Sequence, residues 1–254
     1  MALESNEYPD KSINKFESML KTDDVYFFDA EDFEEIIHYY LNNGKISLGK
    51  KAIQIGLQQH PNSMELKLLQ VEVLAFEDKF DAAETLLDEI QNINVTNEEI
   101  YIQRANIRSK QDKHQEAVNL LLEALDVTDH SFDIHSLLGM EYLFMDNYEQ
   151  AKLSFMRCVE IDDRDYSSLY NVVYCFEFLE DFDGGIYYLN DYLDRNPYCE
   201  VAWHQLGKMY LSKKLYIEAL TAFDFAVISD DSFIGAYFEK GKVLEKLGRY
   251  NEAI

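Results

Sequence analysis

The stretch Trp203-x2-Leu206-Gly207-x2-Tyr210, followed by Ala219-x3-Phe223-x2-Ala226, decides the reading of this chain. Its apolar residues recur at the three- and four-residue steps that share one face of a helix. Moved back 34 residues at a time, it meets the same pattern again. A small residue returns at Gly49, Ala83, Ala117, Ala151, Gly185, Ala219 and Ala253, with no insertion between them. Four positions later stands a large apolar column: Ile53, Leu87, Leu121, Phe155, Leu189 and Phe223. Three positions before the small column, Ile46, Phe80, His114, Tyr148, Phe182, Tyr216 and Tyr250 are mostly aromatic, and Pro61 and Pro197 stand four periods apart. An internal period of this length marks a repeat architecture.

Each column has a physical sense. A small residue lets the two helices of a hairpin approach closely, and the bulky residue one turn later fills the space beside that contact. Proline lacks an N–H and ends one helix or opens the next. Short polar breaks such as Asn42-Asn43-Gly44, Asp146-Asn147 and Leu247-Gly248-Arg249 separate the helices. The pattern resembles the tetratricopeptide repeat family; Glu200–Phe233 carries nearly the whole signature, with Asp231 where the final proline would stand. The resemblance covers Ala30 to Ile254, with repeats starting near residues 30, 64, 98, 132, 166, 200 and 234. It implies an all-α fold: antiparallel helix pairs stacked into a right-handed superhelical solenoid whose first helices line a concave groove. One such hairpin cannot bury its own apolar faces, so stability comes from its neighbours.

Residues 1–29 read as an N-terminal cap to a solenoid spanning 30–254. Asp10 is placed to cap a helix over about Lys11–Lys21, Val25–Phe28 forms an apolar strap, and Asp29 caps the next helix. Gln70, Arg104 and Arg108 depart from the family, which favours apolar or aromatic residues there. The expectation is looser packing, or ion pairs at the core edge. The final repeat stops at Ile254, where its second helix starts, so the sequence reads as a fragment of a longer protein.

Composition narrows the function. The formal net charge of -25 repels phosphate backbones and anionic lipid, which argues against nucleic-acid or membrane partners and favours steering of a basic one. Residues 200–254 hold 7 Lys/Arg and 8 Asp/Glu, so the excess of acid lies before them. The absence of a signal-peptide pattern or bilayer-length apolar run leaves a cytoplasmic protein as the default. Cys158, Cys175 and Cys199 have no CxxC spacing and read as small core hydrophobes. No cofactor, metal or catalytic motif is found: His38, His60, His114, His130, His135 and His204 form no HExxH, and the chain has no Walker loop and no GxSxG. A non-enzyme is expected. The acidic pairs Asp162-Asp163 and Asp230-Asp231 fall at repeat junctions, where capping explains them.

Carrying the family's groove positions onto this chain yields Ile102, Asn106 and Ser109; Ser136, Met140 and Phe144; Tyr170, Asn171, Tyr174 and Phe178; and His204, Lys208, Phe238 and Lys242. Tyr170, Tyr174 and Phe178 make a stripe at four-residue steps, which is either core or a row of contact residues. The binding reading is a groove centred on Met140, Phe144, Tyr170 and Tyr174. It would take a peptide with apolar anchors, its backbone bonded by Asn106 and Asn171, with His204 and Lys208 beyond. The function implied is a protein-binding scaffold or adaptor. The alternatives are a self-assembly module, dimerising through the apolar face at the C-terminal end, or a targeting segment of a multidomain protein.

Overall fold

The computed structural model describes residues 7–22, 25–93, 97–129 and 131–253. Among these residues there are fourteen α-helices, one 3-10 turn and no strand. They form two compact units, residues 1–129 and 130–254. The first holds α1 (Glu7–Lys21), α2 (Ala30–Asn42), α3 (Ile46–Gln59), α4 (Met64–Phe76), α5 (Phe80–Ile93), α6 (Glu98–Lys110) and α7 (His114–Leu125). The second holds α8 (Phe132–Phe144), α9 (Tyr148–Ile161), α10 (Tyr166–Phe178), α11 (Phe182–Arg195), α12 (Glu200–Ser212), α13 (Tyr216–Ser229), α14 (Ile234–Lys246) and the 3-10 turn Tyr250–Glu252. Each first helix begins 34 residues after the last, and the aromatic column opens each second helix.

From Gly49 to Ala219 the small column is buried inside the hairpins, with Ala83, Ala117, Ala151 and Ala219 fully covered, and Ala253 is half-buried. A methyl added at Gly49 would stand 2.8 Å from the Leu41 side chain, which fills the space the glycine leaves. The large column is buried throughout, Leu87, Leu189 and Phe223 completely. Cys158, Cys175 and Cys199 are free thiols inside the second unit's core. Burial pushes the Cys175 thiol up to about 11, which suits a hydrophobe and not a nucleophile.

Every hairpin turns the same way. Gly44, Asp78, Asp112, Asp146, Glu180, Lys214 and Gly248 all have a positive φ, between 54° and 74°. At Lys214 the N–H donates to Leu211 O at 2.9 Å, and the next N–H, of Leu215, donates to Tyr210 O at 2.9 Å. These are the two bonds of a Schellman ending, which satisfy carbonyls left over by the helix. Between repeats, side chains cap the incoming helix: Ser63 Oγ accepts from Leu66 N at 3.2 Å, and Asp165 Oδ1 from Ser168 N at 3.3 Å. The acidic pairs hold the same loops, Asp162 accepting from Arg164 N and Asp230 from Ser232 N, both at 2.9 Å.

Helix α1 starts at Glu7, so Asp10 lies inside it and not before it. Pro9 does not oppose this, because a first-turn residue has no intrahelical use for its N–H. Phe16 of α1 packs on Phe28, Phe33 and Tyr40, at ring distances of 6.0–6.3 Å. The strap is extended, with Phe28 buried and Val25 and Phe27 exposed. The Gln59 amide grips it from both sides, donating to Tyr26 O at 2.8 Å and accepting from Phe28 N at 3.0 Å. Asp29 precedes α2, and Asp32 reaches back to its N–H at 3.3 Å.

Candidate partner-binding face

In the second unit α8, α10 and α12 are the first helices of successive repeats, and one face of each is left open. Met140, Leu143, Tyr170, Asn171, Val173, Tyr174, Glu177, Gln205 and Lys208 line a cleft of about 390 Å³ there. Helical geometry explains the set: Tyr170 and Tyr174 are one turn apart on α10, and Met140 stands one 34-residue period before Tyr174. Tyr170 and Tyr174 are each 42% exposed and Phe178 is 53% exposed, so this stripe is a surface and not core. Met140 and Phe144 on α8 are also exposed.

The rings are ordered by one another. Phe178 stacks on Tyr148 of α9 with centroids 4.6 Å apart and planes 15° apart. Tyr174 leans on Phe178 at 4.6 Å and on Tyr148 at 6.3 Å. The Tyr148 hydroxyl donates to Asp146 Oδ1 at 3.0 Å. Burial and that carboxylate together hold the Tyr148 phenol above its ordinary pKa. At the other side of the cleft the Lys208 ammonium donates to Gln205 Oε1 at 3.3 Å and lies 3.6 Å from Glu177. Gln205 is almost fully buried. The arrangement offers apolar area, aromatic faces and a few aimed polar groups, which suits a protein segment.

Of the residues expected from sequence, Met140, Tyr170, Asn171, Tyr174 and Lys208 meet in this cleft. His204 does not line it. Its ring packs between Phe223 at 5.7 Å and Phe233 at 5.3 Å, and burial, then Lys208, lowers its pKa. Asn106 is half-buried on α6, in the first unit. Gln205 and Tyr148 were missed. Gln205 could have been found, since it stands one period after Asn171. Tyr148 belongs to the mostly aromatic column, which reads as packing. His130 lies outside the described residues.

Arg104 and Arg108 are committed elsewhere. Arg104 pairs with Glu84 at 3.2 Å and with Asp88, and donates to Gln91 at 2.9 Å. Arg108 pairs with Glu84 at 2.8 Å and Glu116 at 3.1 Å. They are the ion-paired core edge that these departures from the family predicted. The first unit also has a cleft of about 310 Å³, floored by Ile53, Leu57, Val73 and Leu74. At its end Lys50 and Lys79 both grip Glu77, at 2.6 and 2.7 Å, and lower its pKa. Among the described residues no three His, Cys, Asp or Glu are grouped to hold a metal, and no helix is long and apolar enough to cross a membrane.

Known proteins share this register. The family model for the tetratricopeptide repeat matches residues 132–165 and 234–254. Over 151 residues the chain is 27% identical to anaphase-promoting complex subunit 3 of Schizosaccharomyces pombe, taking in 59% of this chain and 23% of that protein. The chain thus spans about a quarter of that relative's length. Among solved structures, the anaphase-promoting complex hetero-tetramer Cut9-Hcn1 superposes with a TM-score of 0.56 at 15% identity, over 93% of this chain and 46% of that one. YrrB, a tetratricopeptide-repeat protein with an unusual peptide-binding site, superposes with a TM-score of 0.50 at 16% identity, over 74% of this chain and 97% of its own. Helix pairs recur every 34 residues and the family model matches two of the repeats, so the fold is that of tetratricopeptide repeats.

Proposed function

We propose that this chain is a non-catalytic interaction scaffold that holds a protein segment against the open face of α8, α10 and α12. The observation that carries the reading is the exposed stripe Tyr170, Tyr174 and Phe178 beside Met140, set around a cleft with Asn171 and Lys208 on its wall. Aromatics and methionine supply large contact area at low entropic cost, and such residues dominate interface energetics. The segment would place an apolar side chain among Met140, Leu143 and Val173 and offer peptide groups to Asn171. Residues 132–199 hold 4 Lys/Arg and 14 Asp/Glu, a field that favours a basic partner. The description of YrrB as a peptide binder supports the reading by analogy of fold.

The test is direct. Peptides are selected from a displayed random library against the whole chain, and their affinities are measured by fluorescence anisotropy. Tyr170→Ala/Tyr174→Ala, with a circular dichroism melt matching wild type, should bind at least about tenfold more weakly. Unchanged affinity would move the site off this face. The likeness to anaphase-promoting complex proteins favours a second reading, a structural subunit of a larger assembly. On that reading the double variant leaves assembly mass by light scattering unchanged, and no selected peptide competes with assembly.

A further inference from the structure

The seven first helices end on one register position: Asn42, Phe76, Lys110, Phe144, Phe178, Ser212 and Lys246. In the first unit this column shows what chemistry it can hold. Lys110 stands one repeat after Phe76, and its ammonium lies 5.3 Å from the centre of the exposed Phe76 ring. That distance is within reach of a cation–π attraction. In the second unit Phe178 occupies the place of Phe76, but the residue one repeat later is Ser212. Among the described residues no lysine or arginine lies over Phe178, Tyr174 or Tyr148, although Lys242 covers Phe238 at 4.1 Å and Lys246 approaches Tyr216 at 5.5 Å. A carboxylate stands at the edge of the ledge, because Asp146 accepts from the hydroxyl of Tyr148, whose ring stacks on Phe178.

We propose that this ledge of Phe178, Tyr174 and Tyr148 takes a lysine or arginine side chain of the bound protein segment, with Asp146 as its counter-ion. The inference rests on the peptide-binding reading above and narrows it. The segment carries an apolar residue for the cleft and a cation at a fixed offset for the ledge. Ring quadrupole and carboxylate act on the same group, in a unit whose residues 132–199 have a net charge of -10. Lys110 over Phe76 is the intramolecular version of the same contact.

The column itself supplies the test. Ser212→Lys gives Phe178 the neighbour that Phe76 already has, so the protein fills its own ledge. The probe is the displayed library of random decapeptides, selected in parallel on wild type, Ser212→Ala, Ser212→Lys and Asp146→Asn. Wild type and Ser212→Ala should enrich Lys or Arg several-fold at one offset from an apolar residue. Ser212→Lys and Asp146→Asn should keep the apolar preference and lose the basic one. A peptide carrying both anchors should bind Phe178→Leu about threefold to fivefold more weakly, while its Lys→Gln or Arg→Gln analogue binds wild type and Phe178→Leu alike. An apolar preference with no basic one, or a basic preference untouched by Ser212→Lys and Asp146→Asn, overturns the ledge and leaves the cleft standing. No enrichment on wild type overturns both.

Discussion

Volumes are matched residue by residue across each hairpin. Wherever the large column holds phenylalanine, the eighth residue of the first helix is glycine: Gly139 faces Phe155, and Gly207 faces Phe223. Where the column holds leucine, that register position carries Val71, Ala105 or Val173. A methyl at Gly207 would lie 2.5 Å from the Phe223 ring, and one at Gly139 2.6 Å from Phe155. Helix propensity alone favours alanine over glycine by about 1 kcal/mol. Overpacking a filled core costs about 1–3 kcal/mol, so the steric term wins. Gly207→Ala should therefore lower stability by up to about 2 kcal/mol in urea unfolding. Phe223→Leu should relieve it, with a coupling energy of at least about 1 kcal/mol in the double-mutant cycle. Additive effects would show that the ring sidesteps the new methyl and that the pairing is accidental.

The helices and their ends were legible because both obey the 34-residue period, and one residue out of step would have broken every column at once. What one repeat's period cannot show is how the side chains of neighbouring repeats meet. Tyr148 looked like packing because its column is mostly aromatic, yet its ring forms the back of the exposed ledge under Phe178. His204 looked like groove because its register is Tyr170's, yet Phe223 and Phe233 enclose it. Exposure depends on the size of residues one repeat away, which a single period does not encode. The turns were only half visible: Gly44 and Gly248 announced them, whereas Glu180 and Lys214 adopt the same left-handed backbone without announcing it. For a residue with a Cβ that conformation costs roughly 1–2 kcal/mol, and aspartate reduces the cost through local hydrogen bonding. Lys214→Gly should then raise the urea midpoint at constant m-value, a net gain of about 0.5–1 kcal/mol after the added freedom of the unfolded chain. Asp112→Gly should gain less, since aspartate already suits the turn. The reverse order would mean that the Lys214 side chain makes a stabilising contact of its own.

At the scale of the whole molecule, one electrostatic field acts on stability and on binding with opposite sign. The formal charge of -25 opposes compaction, because like charges are brought closer by folding. Most ion pairs that offset this are exposed and worth little each, such as Lys21–Glu17 and Arg157–Glu160. The half-buried set around Arg104 and Arg108 is screened least. Raising sodium chloride from 0.01 to 0.15 M shortens the screening length from about 30 to about 8 Å, which removes long-range repulsion first and close pairs last. Stability should rise by about 1–2 kcal/mol, or roughly 2–8 °C in melting temperature for a chain of this size. Chloride is the salt to use, because sulfate stabilises by exclusion whatever the charge. Over the same range the association rate of a lysine- or arginine-bearing peptide should fall, since the field that strains the fold also draws the cation in. A melting temperature that drops with added chloride would show that the Arg104–Glu84–Arg108 cluster outweighs the net repulsion. In that case Arg104→Met should abolish the drop, and the steering of a basic partner would have to come from the carboxylates around the ledge alone.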